Sequence, residues 1–217
     1  SLTPQLAPEP ESTLLLIDLG RGQNRLGGSI LGQVINQMGE ATPNVESASE
    51  LKGFWNAIQQ LGAGDKILAY HDRSDGGLLA TAVEMAFAGH VGVSLQLPAG
   101  TDVFANLFAE EIGAVIQVHN ADLDHVESLL ASYGLDTCSS RIGTLNANHT
   151  FEIRQGEDSV FNEPLPSLRA HWSQVTHQMA RLRDNPDCAD QEQALRLDPT
   201  NKGITPRVTF DFSPDTC

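Results

Sequence analysis

Short apolar runs separated by helical patterns constrain the fold of this chain most strongly. Four of these runs have the length of buried strands, and they are residues 13–20, 66–71, 91–97 and 113–118. Three further β-prone runs follow at residues 138–145, 150–155 and 158–161. The segments between the first four runs carry helical periodicity. The order predicts one mixed sheet in an α+β or α/β fold, and we assign the chain to α+β, with a mixed β-sheet flanked by helices.

The helical segments complete a prediction of the domain organisation. They are expected at about 29–38, 47–61, 76–88, 102–110, 122–133 and 167–183. Residues 1–12 hold three prolines and are predicted to be a linker, and residues 13–164 to form the α+β domain. Residues 165–193 are predicted to be a long helix and an extension packing on that domain. Residues 184–217 are polar and rich in proline, which predicts a mostly extended tail.

Charge and cysteine content exclude some classes of function. The 217 residues carry a formal charge of −15, a field that repels nucleic acids and anionic membranes. No apolar run reaches the length of a membrane span. Cys138, Cys188 and Cys217 are far apart and form no zinc spacing. Free thiols in a reducing compartment fit them best, so we predict a cytoplasmic protein.

The turn between residues 71 and 77, with the sequence HDRSDGG, is the sharpest functional signal. Asp75 is predicted to cap the following helix, and the glycines permit a tight entry into it. Asp72 lies at the end of a strand, where open sheets place ligands. Together with Ser74 it would suit Mg²⁺ and a nucleotide phosphate. A turn with a structural cap remains the alternative at this point.

Other polar positions are weaker candidates. Gly27, Gly28 and Ser29 could present N–H groups to an anion at a helix start, or form a flexible connection without a ligand. Their spacing does not fit a dinucleotide fingerprint. Glu84 is predicted to lie on a solvated helix face. His71 is expected to be a hydrogen-bonded structural residue.

Two further groups are predicted to be structural. Glu110 and Glu111 precede a strand and could be acid/base groups, but such a pair more often simply ends a helix. Trp172, Val175 and Met179 recur with helical periodicity, which predicts core packing.

Five stretches carry a resemblance to a known family. They are HDRSDGGLLATAVEMAFAGHVGVSL, LLLIDLGRGQNRLGGSILGQV, LKGFWNAIQQL, LFAEEIGAVIQV and HWSQVTHQMARLRDNPDCADQE. The first resembles the C-terminal half-domain of the family of aminoimidazole ribonucleotide synthetase, selenophosphate synthetase and phosphoribosylformylglycinamidine (FGAM) synthase. The others narrow the resemblance, over about residues 13–193, to the large single-chain FGAM synthases.

The resemblance implies a carbon–nitrogen ligase of purine biosynthesis. Such enzymes convert formylglycinamide ribonucleotide, glutamine, ATP and water to the amidine, glutamate, ADP and phosphate. Ammonia comes from a separate glutaminase domain, as in other glutamine amidotransferases. This chain would be the C-terminal half-domain of the second synthetase-like half, and residues 194–217 would be a linker toward that glutaminase. Its partners would be the remaining domains of the parent, and it would be inactive alone.

Two site residues carry over from the family. The resemblance implies that Asp72 is a Mg²⁺ ligand and that Ser74 contacts ATP or ADP, at a site where the nucleotide is structural. No catalytic residue is assigned. The stretch departs from the family at Ala109, where asparagine is expected, so Glu110 and Glu111 receive no role. The alternatives are another ATP-using synthetase of the same superfamily, or a purely structural domain.

Overall fold

The computed structural model describes residues 2–201, 203, 204, 207 and 209. The strands in that part of the chain are β1 (Ser12–Asp18), β2 (Ala69–Asp72), β3 (Gly92–Leu97), β4 (Gly113–His119), β5 (Ser139–Asn146), β6 (Thr150–Gln155) and β7 (Asp158–Pro164). The α-helices are α1 (Ile30–Val34), α2 (Ala48–Ala63), α3 (Gly77–Gly89), α4 (Val103–Phe108), α5 (Leu123–Ser132), α6 (Leu165–Arg183) and α7 (Pro186–Leu197). The chain divides into two compact units, residues 1–165 and 166–217.

The strands of the first unit form one mixed sheet with the order β2-β4-β1-β5-β3-β6-β7. Only β3 and β6 pair in parallel among the described strands, and the other pairings are antiparallel. Helices intervene between β1 and β5 along the chain. The α+β prediction, with a mixed sheet flanked by helices, is therefore confirmed.

One face of the sheet carries α2 and α5. Successive side chains of a strand point to opposite faces, and Leu15 and Ile17 of β1 point to this side. They join a fully buried cluster whose other members include Phe54, Ala57, Ile58, Leu61, Ala114, Ile116, Val118, Leu123, Val126 and Leu130. The alternate residue Asp18 faces the other side, where α3 packs against β2, β3 and β4.

The segment before β1 is partly fixed to the sheet. Residues 2–11 contain no helix or strand, but the Leu6 side chain is completely buried. The Ala7 N–H donates to the side-chain oxygen of Gln117 at 2.8 Å, and the Gln117 amide donates to the Ala7 carbonyl at 2.9 Å. These contacts anchor the entry into the central strand.

Helix α1 is shorter than the sequence pattern predicts. It ends at Val34 rather than near residue 38. Asn36 and Gly39 have positive φ values of 57° and 71°, and residues in the left-handed region cannot continue a right-handed helix. The Gln37 N–H instead returns to the Gly32 carbonyl at 2.7 Å.

Helix α7 contradicts the prediction of an extended tail from residue 184. Asn185 caps it, and the side-chain oxygen accepts from the N–H groups of Asp187 and Cys188 at 3.0 and 3.2 Å. Pro186 occupies the first turn, where its missing N–H costs nothing. Within the second unit, the buried Gln193 side chain donates to the Ser173 hydroxyl at 2.7 Å.

The predicted core packing of α6 is wrong. Trp172, Val175 and Met179 are more than 60% exposed. Leu182 continues the same stripe and is 90% exposed. Periodicity establishes that these side chains share a helix face, but not that another element covers it.

The cysteines bear on the predicted reduced state. Cys138 is buried and Cys188 is exposed, and both are free thiols. Burial raises the pKa of the Cys138 thiol, which makes it a poor nucleophile. Cys217 lies outside the described residues. No helix within residues 2–201 is long and apolar enough to cross a membrane.

Candidate functional site

The predicted site residues lie at one edge of the sheet. Strands β1 and β2 both run antiparallel to β4, so both end where β4 begins. Asp18, the last residue of β1, pairs with Gly113, and Asp72, the last residue of β2, pairs with Ala114. Three segments therefore meet at this edge: the glycine-rich loop after β1, the turn after β2 and the residues that precede β4.

Arg73 anchors the turn from the inside. Its side chain is 1% exposed. Its backbone N–H donates to the Gly113 carbonyl at 2.9 Å, and its Nε donates to the Glu111 carbonyl at 2.7 Å. Its Nη2 donates to the Asp18 carboxylate. Arg73 therefore joins all three segments, a role that the residues around it in the sequence do not indicate.

Asp72, Ser74 and Asp75 are exposed on either side of this anchor. One oxygen of Asp72 accepts a hydrogen bond from the Tyr70 hydroxyl. Its other oxygen, and the Ser74 hydroxyl, have no hydrogen-bond partner among the described residues. The turn thus holds its backbone inside the protein and presents a carboxylate and a hydroxyl outward.

The predicted N-cap role of Asp75 is wrong. The N-cap of α3 is Gly76, whose φ is 83°, and no side chain of the cap accepts a hydrogen bond. Asp75 therefore lies one residue before the position from which an N-cap side chain reaches the first turn. The Gly76 N–H donates instead to Oε1 of Glu110 at 2.8 Å.

The Glu110 carboxylate also reaches a second helix start. Its Oε1 accepts from the Ile30 N–H, the first residue of α1, at 2.9 Å. The local sequence does not reveal this role, because the two contacts join residues 34 and 80 positions apart.

Among the described residues at this end of the sheet, Glu111 and Arg25 form the best-buried ion pair. Glu111 is 0% exposed. Arg25 donates to it from the backbone N–H at 3.0 Å and from Nε and Nη2, each at 2.7 Å. Burial alone raises the pKa of the Glu111 carboxyl, but the hydrogen bonds and charge of Arg25 outweigh burial and lower that pKa below its ordinary value. Glu111 is therefore ionised and structural.

The glycine-rich loop does not present free N–H groups at residues 27–29. Gly27, Gly28 and Ser29 donate to the backbone carbonyls of Ala41, Met38 and Leu26. The Ser29 hydroxyl caps α1 by accepting from the Gly32 N–H at 3.1 Å. Of the two alternatives from the sequence, the structural connection fits and the anion cradle does not.

His71 and Glu84 connect the turn to the middle of α3. The His71 Nε2 lies 3.1 Å from the Glu84 carboxylate, and its Nδ1 lies 2.8 Å from the Asp72 carbonyl oxygen. The expectation of a hydrogen-bonded structural histidine is confirmed. The solvated face predicted for Glu84 is wrong, because its carboxylate is only partly exposed and pairs with His71.

The described residues do not form a complete metal site. No group of three histidine, cysteine, aspartate or glutamate side chains within them is arranged to hold a metal ion. Asp72 fits as one ligand, since one carboxylate oxygen faces outward without a protein donor. Mg²⁺ at this position would take its other ligands from nucleotide phosphates, water or other domains.

Gly77 brings the start of α3 into contact with the residues that precede β4. Its φ is 66°. A Cβ atom there would lie 2.7 Å from the Leu107 carbonyl oxygen and 2.9 Å from that of Ala109. Both atoms belong to the backbone, so neither can swing aside.

We therefore expect Gly77→Ala to lower the free energy of unfolding by more than the roughly 1–2 kcal/mol that left-handed backbone costs a non-glycine residue. Gly22→Ala is the matched control, because Gly22 has a φ of 73° and nothing within 4 Å of its would-be Cβ. Urea denaturation of both variants measures the difference. Equal losses would show that the close approach at Gly77 contributes nothing.

The chain thus contains an α+β domain in which an exposed acidic turn follows β2, close to the end of β1. Residues 9–155 match the family described as AIR synthase related protein, C-terminal domain. This match covers more than half of the chain, which therefore belongs to that family.

Solved structures share the fold. T. maritima phosphoribosylformylglycinamidine synthase II aligns with a TM-score of 0.59 at 12% identity, over 75% of this chain and 26% of that one. T. maritima PurL complexed with FGAR gives 0.61 at 14%, over 77% and 29%. E. coli HypE, a hydrogenase maturation protein, gives 0.53 at 22%, over 76% and 54%. At these identities the likeness shows the fold alone. The chain spans about a quarter of the length of the T. maritima chains.

Proposed function

We propose that this chain is part of an ATP-dependent FGAM synthase and contributes one wall of a magnesium–nucleotide site. Membership in the AIR synthase related family supports the assignment of the full-length protein to this superfamily of ATP-using synthetases. The sequence stretches that resemble large single-chain FGAM synthases support the particular ligase. The parent enzyme would convert formylglycinamide ribonucleotide to the amidine with ATP and glutamine, in the cytoplasm.

One observation carries the site. Asp72 and Ser74 are exposed, while Arg73 between them is buried and tied to Asp18, Glu111 and Gly113. A turn that served only to connect β2 and α3 would not need this fixed outward presentation. In the proposed site Asp72 binds Mg²⁺ and the Ser74 hydroxyl hydrogen-bonds the nucleotide.

The local charge supports a metal-mediated contact with the nucleotide. Asp72 and Asp75 are exposed acids and Arg73 is buried, so a phosphate would meet negative charge at the turn. A divalent cation bound between the carboxylate and the phosphates would reverse that repulsion. The remaining ligands would come from the other synthetase domains of the parent. Ammonia would come from its glutaminase domain.

An assay of the full-length gene product tests this function. We expect ATP hydrolysis that requires formylglycinamide ribonucleotide and an ammonia donor, with formation of the amidine. The chain described here should show no such activity alone, because its described residues hold no complete metal site. ATP turnover that is indifferent to formylglycinamide ribonucleotide, and is stimulated by selenide or by another acceptor, would assign the parent to a different synthetase of the superfamily.

A further inference from the structure

The Glu110 carboxylate accepts hydrogen bonds from the starts of two helices, α1 and α3. Its Oε1 accepts from the first N–H of α1 and from the N–H of Gly76 before α3. Neither helix has an acidic residue in its first turn. Glu110 therefore supplies a hydrogen-bond acceptor for otherwise unpaired N–H groups at the start of both helices.

The backbone that carries Glu110 is itself fixed against the turn. Gly77 approaches the backbone of residues 107–109 so closely that a Cβ would not fit. Arg73 bonds to the carbonyl groups of Glu111 and Gly113. The turn is thus held at its start by Arg73 and at its end by Glu110, and the side chains of Asp72 and Ser74 lie within or beside that span.

We propose that Glu110 is a positioning residue that sets the orientation of Asp72 and Ser74 toward the magnesium–nucleotide complex. This inference rests on the proposed function. Glu110 acts through the Gly76 N–H and does not touch the nucleotide. What matters is the reach of its side-chain oxygen, because that single oxygen accepts both hydrogen bonds.

Three substitutions separate reach from charge. Glu110→Gln keeps the length of the side chain and a carbonyl oxygen that accepts two hydrogen bonds. Glu110→Asp keeps the charge but is shorter by one methylene. Glu110→Ala removes both. Positioning predicts that Gln behaves like the wild type and that Asp behaves like Ala.

The measurement is equilibrium dialysis of the full-length protein against MgADP, after removal of bound nucleotide and below the unfolding transition of each variant. We expect Glu110→Ala and Glu110→Asp to raise the Kd about tenfold, the lower end of the loss seen when a partner of a metal ligand is removed. Glu110→Gln should bind MgADP with nearly the affinity of the wild type, because its side chain keeps an accepting oxygen at the same distance from the backbone. Asp75→Ala is the control, because its carboxylate lies in the same turn without a hydrogen bond in the described part of the chain.

The outcomes distinguish this inference from the proposed function. Wild-type affinity in Glu110→Asp and Glu110→Ala, together with weak binding in Asp72→Asn, would overturn the positioning role and leave the magnesium–nucleotide site in place. Equal weakening by Gln, Asp and Ala would also overturn it, because reach would then not matter. Wild-type affinity in Asp72→Asn would overturn the proposed site itself. If Glu110→Ala does not fold, the comparison of Gln with Asp still decides.

Discussion

Asp72→Asn in the full-length protein should weaken binding of the magnesium–nucleotide complex by at least about tenfold. Loss of a residue that only supports a metal ligand already costs about tenfold to a hundredfold. The asparagine side chain keeps the shape of the carboxylate and can still accept the hydrogen bond from the Tyr70 hydroxyl. It loses the negative charge that a hard divalent cation requires. The fold of the domain itself should change little, because the shape and the Tyr70 hydrogen bond are kept.

Thermal stability should report the same loss if the nucleotide is structural. A ligand present at 100 times its Kd stabilises the folded state by about 2.7 kcal/mol, and the variant would forfeit much of that. Asp75→Asn is the matched control, since it removes an equal charge from the same turn at a residue whose side chain has no hydrogen-bond partner in the described part of the chain. Equal retention of nucleotide by Asp72→Asn and the wild type would remove Asp72 from the site.

Arg25→Ala should destabilise the domain clearly more than the loss of an exposed ion pair does, because it leaves the buried Glu111 charge without its partner. Glu111 is completely buried and receives all three of its side-chain hydrogen bonds in the described structure from Arg25. Only the bond from the backbone N–H would remain. Urea denaturation measures the loss.

Arg21→Ala provides the comparison for Arg25→Ala. Arg21 lies in the same loop and pairs with Glu50, but the two side chains are 41% and 24% exposed. Exposed pairs contribute only about 0–1 kcal/mol. A loss in Arg25→Ala no larger than that of Arg21→Ala would show that burial of the Glu111 pair is not the source of its stability.

The effect of Arg25→Ala should also depend on pH. The folded-state pKa of Glu111 is lowered, so the stability from the pair is present above the unfolded pKa of about 4.3 and is lost as the pH falls through the folded value. In the variant, burial without Arg25 raises the same pKa, and protonation then relieves the folded state. The difference in unfolding free energy between the two proteins should therefore shrink from about pH 7 to about pH 4. A difference that is constant over this range would contradict the electrostatic explanation.

The sequence predicts the sheet better than it predicts the C-terminal helices α6 and α7. Apolar runs locate the strands because burial demands that pattern regardless of which strand pairs with which. The polar composition after residue 184 predicts an extended tail, but two local signals favour helix α7: Asn185 is a good N-cap and Pro186 a good first residue.

At the site, the local sequence predicts which side chains are exposed but not which residues contact each other across the fold. The exposure of Asp72 and Ser74 follows from their place at a strand end, which the local sequence reveals. The contacts of Glu110 and Glu111 do not, because their partners lie 34 to 86 residues away.

The order of the strands has a consequence for how the chain is made. β1 lies inside the sheet between β4 and β5, and neither neighbour precedes it in the sequence. At synthesis rates of about 5–20 residues per second, the strongly apolar β1 waits about 5–20 seconds before β4 exists to pair with it. Among the described strands only β6 and β7 are neighbours in both sequence and sheet. A newly made chain therefore carries β1 as an unpaired, aggregation-prone strand while about 100 residues are added between Asp18 and His119, and the cell's chaperones would meet this internal strand first.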